Sequence, residues 1–451
     1  MLLKDAMNGF FMHLYTNTLG YILQLVFGTL QSVKMIIPYT YTLLEEFGHM
    51  GVLKDVRQRN TMYPDEPQIP IYSCILELKK EYTDSPLRFR PDGHGISQRK
   101  SWAVFKSLME ALERFSQGCY LNNELLFGTL HELTRPTVNP NLFSTKNISD
   151  VTLGWTEATH INTGEKCFMP AQFFFLTYKR EKEPLLVDMN TSGGAAGTDH
   201  ASTLLRAIYE LVERDAFMCM YLTKSTVPKI KLDSIKNKEF QKLIHYLSRY
   251  NLEPMIFNLT NDIQISTFLA ILIDHTGIGP AIILGLKSSL SSEKALFGAL
   301  EEAMLGRSGS VRSYFWQKKE DVQIDHPEKI ATIIQRALFW YPLSMMKHLQ
   351  FLMNTPEIPL KPAYFSKKPP EELTRVLSIL RNENIDVYYK DLTLQNFKKK
   401  GFLVYKAVTP HLQHLYLHEQ SKTINEKRLK KVAHYFGQKK YRLNTIPHPF
   451  L

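Results

Sequence analysis

Cysteine is scarce in this chain: four in 451 residues, at Cys74, Cys119, Cys167 and Cys219, and none in a CxxC pair. That spacing argues against a zinc site or a disulfide framework and fits buried thiols in a reducing cytoplasm. Long apolar runs are also missing. The stretch from Leu19 to Leu30 is interrupted by Gln24 and followed by Gln31 and Lys34, so it is too short for a membrane span and reads as a core helix. Lys4 and Asp5 come early and no small-residue cleavage site follows an apolar stretch, so no secretory signal is expected. No low-complexity linker divides the chain. No recognisable nucleic-acid motif occurs, and the Gly-x-x-x-x-Gly-Lys-Ser/Thr loop of the common nucleotide binders is absent.

What remains is an ordinary globular composition, 44% hydrophobic and 22% charged. The length allows two or three compact lobes around a large core. The net charge of +11 favours anionic partners, but the charge is dispersed. Short runs such as Lys398-Lys399-Lys400 read as solvated surface. Neither nucleic acid nor a membrane is expected as a partner.

Periodicity gives an α/β (α+β) pattern. Residues 1–65 form a partly helical N-terminal extension ending in a polar stretch. Residues 66–451 form one main unit with a proline-containing tail from about 440 to 451. Ile69 to Leu78 alternates like a strand. Gly93-His94-Gly95 reads as a turn, with Ser97 as the cap of an amphipathic helix that lines up Trp102, Phe105, Leu108, Leu112 and Phe115. The plan recurs with strands between Val151 and Leu186, a turn at Gly193-Gly194-Ala195-Ala196-Gly197, and a helix from His200 to Tyr221. It recurs again with strands Ala270–Ile273 and Ala281–Leu286 and a helix Ser292–Arg307. Strand, glycine turn and helix thus form a threefold pseudo-repeat. Ile385–Tyr389 and Phe402–Val408 are further strand candidates.

Chemistry concentrates on two of these helices. Glu110-Ala111-Leu112-Glu113-Arg114 and Glu210-Leu211-Val212-Glu213-Arg214 place glutamates at i and i+3 and an arginine at i+4, all on one helical face. Facing one another, such helices gather four carboxylates, suited to Mg²⁺, and two guanidiniums, suited to phosphate. Spacing alone leaves a second reading open. A glutamate–arginine pair at i,i+4 is a common surface salt bridge worth about 0.3–0.5 kcal/mol.

The chain resembles the YcaO family over most of its length. Four stretches carry the resemblance, in order. They are Ser107-Leu108-Met109-Glu110-Ala111-Leu112-Glu113-Arg114, the block from Asn190 through Gly193-Gly194-Ala195-Ala196-Gly197 to Glu210-Leu211-Val212-Glu213-Arg214-Asp215, Leu300 to Arg307, and Gly401 to Gln413 with its Pro410-His411-Leu412-Gln413 turn. The resemblance implies an ATP site built from helical glutamates and arginines. Glu110, Glu113, Glu210 and Glu213 would hold Mg²⁺ and phosphates, Arg214 and Arg307 would contact phosphate, and Arg114 would do so or orient the glutamates. It implies activation of a peptide backbone amide by ATP: azoline formation at Cys, Ser or Thr, or thioamide or amidine formation.

The ending Ile446-Pro447-His448-Pro449-Phe450-Leu451 is similar to the proline-rich tail of azoline-forming members, which is thought to reach the active site. Pro447 and Pro449 fit, while Leu451 stands where a last proline would be; a frayed terminus is the alternative. The resemblance further implies a precursor peptide substrate, a separate E1-like leader-binding partner, and a flavin-dependent dehydrogenase to oxidise azolines. A homodimer is compatible with the family, though no motif specifies one. Lys106, Thr198, Ser202, Leu305 and His94 depart from the family pattern. A partner of another class, binding nucleotide without turning it over, therefore stays open. His94 and His448 are candidate acid–base groups, against a bland reading as surface histidines.

Overall fold

The computed structural model describes residues 36–59, 67–143, 147–180, 182–277, 279–307, 324, 326–363, 365 and 367–451. The helix expected between Leu19 and Leu30 lies outside the described residues. The rest is the mixed α/β (α+β) class expected. In chain order come α1 (Ile36–His49), β1 (Leu53–Gln58), β2 (Ile71–Leu76), β3 (Asp92–Ile96), α2 (Lys100–Gly118), β4 (Leu126–Gly128), β5 (Leu153–His160), β6 (Lys166–Pro170), β7 (Gly194–Gly197) and α3 (His200–Thr223). There follow β8 (Lys229–Ile230), α4 (Lys238–Ser248), β9 (Leu252–Asn258), β10 (Ser266–Asp274), β11 (Ile282–Ser289), α5 (Ser292–Gly306), α6 (Ile333–Phe339), β12 (Glu357–Ile358), α7 (Pro369–Asn382), β13 (Tyr388–Asp391), β14 (Leu403–Val408) and α8 (Glu426–Tyr435).

Among the described residues the strands form three sheets. β1, β2 and β3 form an antiparallel sheet, and α1 adds Leu43, Leu44 and Phe47 to the core under it. A second sheet runs β4-β5-β13-β14-β7, with β6 also paired to β5. The third runs β11-β10-β9-β8-β12. Helix α3 packs on β7 and β14 of the second sheet and on β10 and β11 of the third. Its buried residues run around the whole helix, from Leu204 and Ile208 to Val212 and Phe217. A helix that is apolar on all faces belongs inside a protein rather than on its surface.

The sequence pattern of α2 needs one correction. Val104, Leu108, Ala111, Leu112 and Phe115 are fully buried, whereas Trp102 is 38% exposed. At about 100° per residue, Trp102 falls on the far side of the helix from the 104–108–111–115 stripe. Ser97 does not cap this helix either: Arg99 holds the cap position and makes no side-chain cap bond.

The glycines also act differently from the turns expected. Gly93 and Gly95 lie inside β3, and Gly194 to Gly197 is β7 itself; Gly193 alone of these has a positive φ, +78°. The reason is close packing. A Cβ on Gly93 would collide with the backbone of Ser107 and Ala111, and one on Gly285 with the backbone of Ala299 and Ala303. The helices α2 and α5 therefore sit directly on β3 and β11. Gly285→Ala is expected to cost about 1–3 kcal/mol, the usual range for overpacking a tight interface. A lower urea midpoint at unchanged m-value would report it.

Candidate functional site

Close packing lets three helices reach back to the strand before each of them. From α2, Glu110 Oε2 accepts the His94 N–H of β3 at 2.7 Å. From α3, Glu210 Oε2 accepts the Gly193 N–H, just ahead of β7, at 3.0 Å. From α5, Glu302 Oε2 accepts the Leu286 N–H of β11 at 2.6 Å. Gly93, Gly193 and Gly285 each stand seventeen positions before Glu110, Glu210 and Glu302. The pseudo-repeat therefore has a chemical counterpart: a glutamate in each helix that accepts a backbone N–H, with Gly93 and Gly285 admitting their helices and Gly193 instead taking a positive φ. Glu213 crosses between units and accepts the Ser288 N–H of β11 at 2.8 Å.

The two Glu-x-x-Glu-Arg motifs converge. Arg114 pairs with Glu110 at 2.5 Å and Arg214 with Glu210 at 2.9 Å. Glu113 stands between the two glutamates. Burial, then the charges of Glu210 and Glu110, push its carboxyl up to about 8. Glu213 is 4% accessible and meets the Lys287 ammonium at 3.1 Å. Burial pushes Glu302 up to about 7, with Arg214 pulling down and Glu213 pushing up. Burial also depresses Lys287, but Glu213 and Glu302 more than offset it, and the ammonium ends above its ordinary value.

Sequence reasoning missed four members of this network. Lys406 of β14 is buried, donates to Gln117 Oε1 at 3.0 Å and to Asn190 O at 2.6 Å, and is brought down to about 8 by burial despite Glu210 and Glu113. Gln117 in turn donates to Glu113. Lys287 and Lys406 each left one signal: a lone lysine inside an otherwise apolar strand run. Glu302 left another, the same glycine-to-glutamate spacing as its two counterparts.

The other expected residues are distributed as follows. Arg307 caps α5 and is buried, with its guanidinium 2.5 Å from Asp274 at the end of β10. His94 sits in β3 with Nδ1 2.7 Å from Ser73 Oγ, and burial lowers its pKa, so it is a neutral ring fixed in a sheet. Lys106 bridges α2 to α5, reaching Ile96 O at 2.9 Å and Glu301 at 3.0 Å. Ser202 donates both its N–H and its hydroxyl to Asp199, the cap of α3. Leu305 packs against the core beneath the third sheet. The four cysteines are unpaired, and Cys74, Cys167 and Cys219 are buried.

The tail is not frayed. Residues 447–450 are buried. Pro447 O accepts from Tyr221 at 3.1 Å and from Trp340 Nε1 at 2.9 Å. His448 donates through Nε2 to Tyr416 O at 2.6 Å, and burial holds its pKa far below the ordinary value. The Phe450 ring lies 4.4 Å from the Arg214 guanidinium, a cation–π contact with the second motif. Arg336, fully buried, clamps the tail by donating to His448 O at 2.9 Å and Leu417 O at 2.6 Å while paired with Glu419 at 2.9 Å.

The donor set suits Mg²⁺ with a phosphate ligand. Carboxylate oxygens are hard ligands, and Mg²⁺ completes its shell with water and phosphate oxygens. Glu113, crowded by Glu110 and Glu210, gains from a cation that offsets their charge. The Nε atoms of Arg114 and Arg214 are buried without a partner among the described residues. Among the described residues no three acidic, histidine or cysteine side chains are grouped closely enough to hold a metal ion by themselves.

The raised Glu113 has a pH consequence. In the folded chain it keeps its proton up to about 8, against an ordinary value of 4.5. Its contribution to stability is therefore full below 4.5 and is lost as pH rises through about 8. As a Mg²⁺ ligand Glu113 would have to be ionised, so binding of Mg²⁺ with a non-hydrolysable ATP analogue would release up to one proton below that pH and tighten as pH rises. Calorimetry in buffers of different ionisation enthalpy measures that proton, and Glu113→Gln should abolish the release.

Fold and site together define a class: a mixed α/β protein whose buried and half-buried glutamates and arginines come from successive helices, each following a glycine-containing strand or turn. Residues 93–413 match the family model described as YcaO cyclodehydratase, ATP- and Mg²⁺-binding, and the chain belongs to the YcaO family. An uncharacterised protein of Methanothermobacter thermautotrophicus is 24% identical over 275 residues, 59% of this chain and 69% of that one. A heterocyclase solved with substrate and cofactor superposes with a TM-score of 0.71 at 18% identity, over 91% of this chain and 57% of the heterocyclase. This chain thus spans little more than half of that protein. The YcaO protein of Methanopyrus kandleri, solved with AMPPCP and Mg²⁺, gives a TM-score of 0.63 at 13% identity, over 84% of this chain and 91% of that one. Among the described residues no helix is long and apolar enough to cross a membrane.

Proposed function

We propose that this chain spends ATP to activate a backbone amide of a ribosomally made peptide, closing a Cys, Ser or Thr residue onto the preceding carbonyl as a thiazoline or oxazoline. The observation that carries ring closure is the buried tail, with Phe450 against Arg214 of the second Glu-x-x-Glu-Arg motif. In this reading Glu110, Glu113, Glu210 and Glu213 hold Mg²⁺ and the phosphates. Arg114, Arg214 and Arg307 bind phosphate oxygens as planar forks. ATP with Mg²⁺ supplies the phosphoryl group that turns an amide oxygen into a good leaving group. Pro447 and Pro449 keep the tail extended against the cleft, since proline fixes φ and cannot join a helix. Arg336 holds the tail there. An E1-like protein that captures the leader peptide and a flavin-dependent dehydrogenase are the partners this chemistry calls for.

The test is mass spectrometry of a candidate precursor peptide incubated with the purified chain, its leader-binding partner, Mg²⁺ and ATP. Loss of one water per modified residue, dependent on ATP, supports ring closure. Sulfur gained in place of oxygen identifies a thioamide-forming enzyme instead. ATP bound without turnover, across peptides encoded beside this gene, would make the chain a non-catalytic partner.

A further inference from the structure

The segment that clamps the tail also presents a histidine of its own. Asp188 is 3% exposed, and its Oδ2 accepts the backbone N–H groups of Leu417 and His418. Its Oδ1 meets His418 Nδ1 at 2.6 Å. A carboxylate anchored by two backbone donors fixes the ring orientation, makes Nδ1 the donor, and leaves Nε2 with a lone pair. The His418 side chain is 46% accessible, and Nε2 has no hydrogen-bond partner among the described residues. Histidines held elsewhere in the site differ: His94 and His448 are engaged and desolvated.

The pair is joined to both halves of the site. Asp188 lines the same small cavity as Asn190, Ser192 and Lys406. Asn190 accepts from the Lys406 ammonium and donates its side-chain amide to Leu415 O at 2.9 Å. On the other side, Tyr416 O receives the His448 ring and Leu417 O receives Arg336. The residues flanking His418 are therefore the ones that hold the tail.

We propose that His418, oriented by Asp188, is a catalytic residue that takes the proton of the attacking Cys, Ser or Thr side chain of the peptide; this rests on the ring-closing function proposed above. The S–H or O–H bond breaks, its proton goes to His418 Nε2, and its electron pair forms the bond to the carbonyl carbon. The C=O π pair moves onto oxygen, which takes the γ-phosphoryl group of ATP as ADP leaves. When the C–O bond breaks, the phosphate departs with the His418 proton, and the amide nitrogen loses its own proton to water as C=N forms. Proton transfer by a positioned histidine contributes about 10²–10⁴-fold.

The probe is a synthetic peptide with a Gly-Cys step at millimolar concentration, given to the chain with its leader-binding partner, Mg²⁺ and ATP, and followed by ADP release and by loss of water. His418→Gln can still donate to Asp188 but cannot take the proton. It is expected to lower kcat by roughly 10²-fold with an unchanged KM for ATP and an unchanged melting temperature. Added imidazole should restore part of the activity of His418→Gly, and should not restore Asp188→Asn. Wild-type kcat in His418→Gln overturns the proposal. So does a loss seen only as a raised KM or a lowered melting temperature without imidazole rescue. A wild-type chain that releases no ADP with the peptide sinks the ring-closing reading itself. An active wild type with an active His418→Gln sinks only the role of His418.

Discussion

Glu210→Gln is expected to abolish nearly all of the proposed ATP-dependent modification, by roughly 10²–10³-fold in kcat, the range for removing one preorganised group from a charged transition state. The fold survives, because the glutamine carbonyl can still accept the Gly193 N–H that Glu210 holds at 3.0 Å. What disappears is the charge. Arg214 loses its ion-pair partner at 2.9 Å, and a bound Mg²⁺ would lose one of its proposed carboxylates. Glu113 loses the neighbour that, after burial, does most to raise its pKa, so its carboxyl moves back toward the ordinary range. Two measurements separate this from misfolding: the melting temperature without ligand, which should hold, and its rise on adding Mg²⁺ with an ATP analogue, which should shrink. Activity within a few-fold of wild type would show that the converged glutamates are structural salt bridges after all.

Arg336→Ala is expected to cost about 3–5 kcal/mol of stability, because it removes the buried guanidinium that pairs with the Glu419 carboxylate in the protein interior. Arg336 and Glu419 are 0% and 2% accessible, and the guanidinium also satisfies two carbonyls, of Leu417 and His448. Its removal should free the tail as well as destabilise the chain. The double change Arg336→Met with Glu419→Leu should be milder than either single change, since replacing both ions by apolar groups leaves no buried charge. Chemical denaturation ranks the three variants. Carboxypeptidase digestion of the tail, faster in Arg336→Ala, reports its release. A single variant no less stable than the double one would refute this account of the clamp.

How much of this was legible depended on the distance between partners. Glu110 with Arg114, and Glu210 with Arg214, could be paired in advance because both ends lie on one helix. Arg336 with Glu419, or Lys406 with Gln117, could not: their partners lie far along the chain, and no periodicity links them. Glycine was ambiguous for a different reason. Freedom at positive φ and absence of a Cβ are both properties of the same residue, and sequence does not say which is in use. Gly193 uses the first, while Gly93 and Gly285 use the second. His448, between two prolines near the end of the chain, reads as a solvated residue, and it is fully buried because Arg336, Tyr416 and Trp340 supply partners for the tail's polar groups.

The common spacing from glycine to glutamate bears on how this chain can change length. Within each of the windows 93–110, 193–210 and 285–302, one inserted residue in the helix would turn the glutamate by about 100° and carry it off its backbone partner. These windows act as rulers of fixed length. Insertions and deletions should collect between them, where the chain is free to grow, and relatives that keep the site should differ in total length while preserving all three intervals.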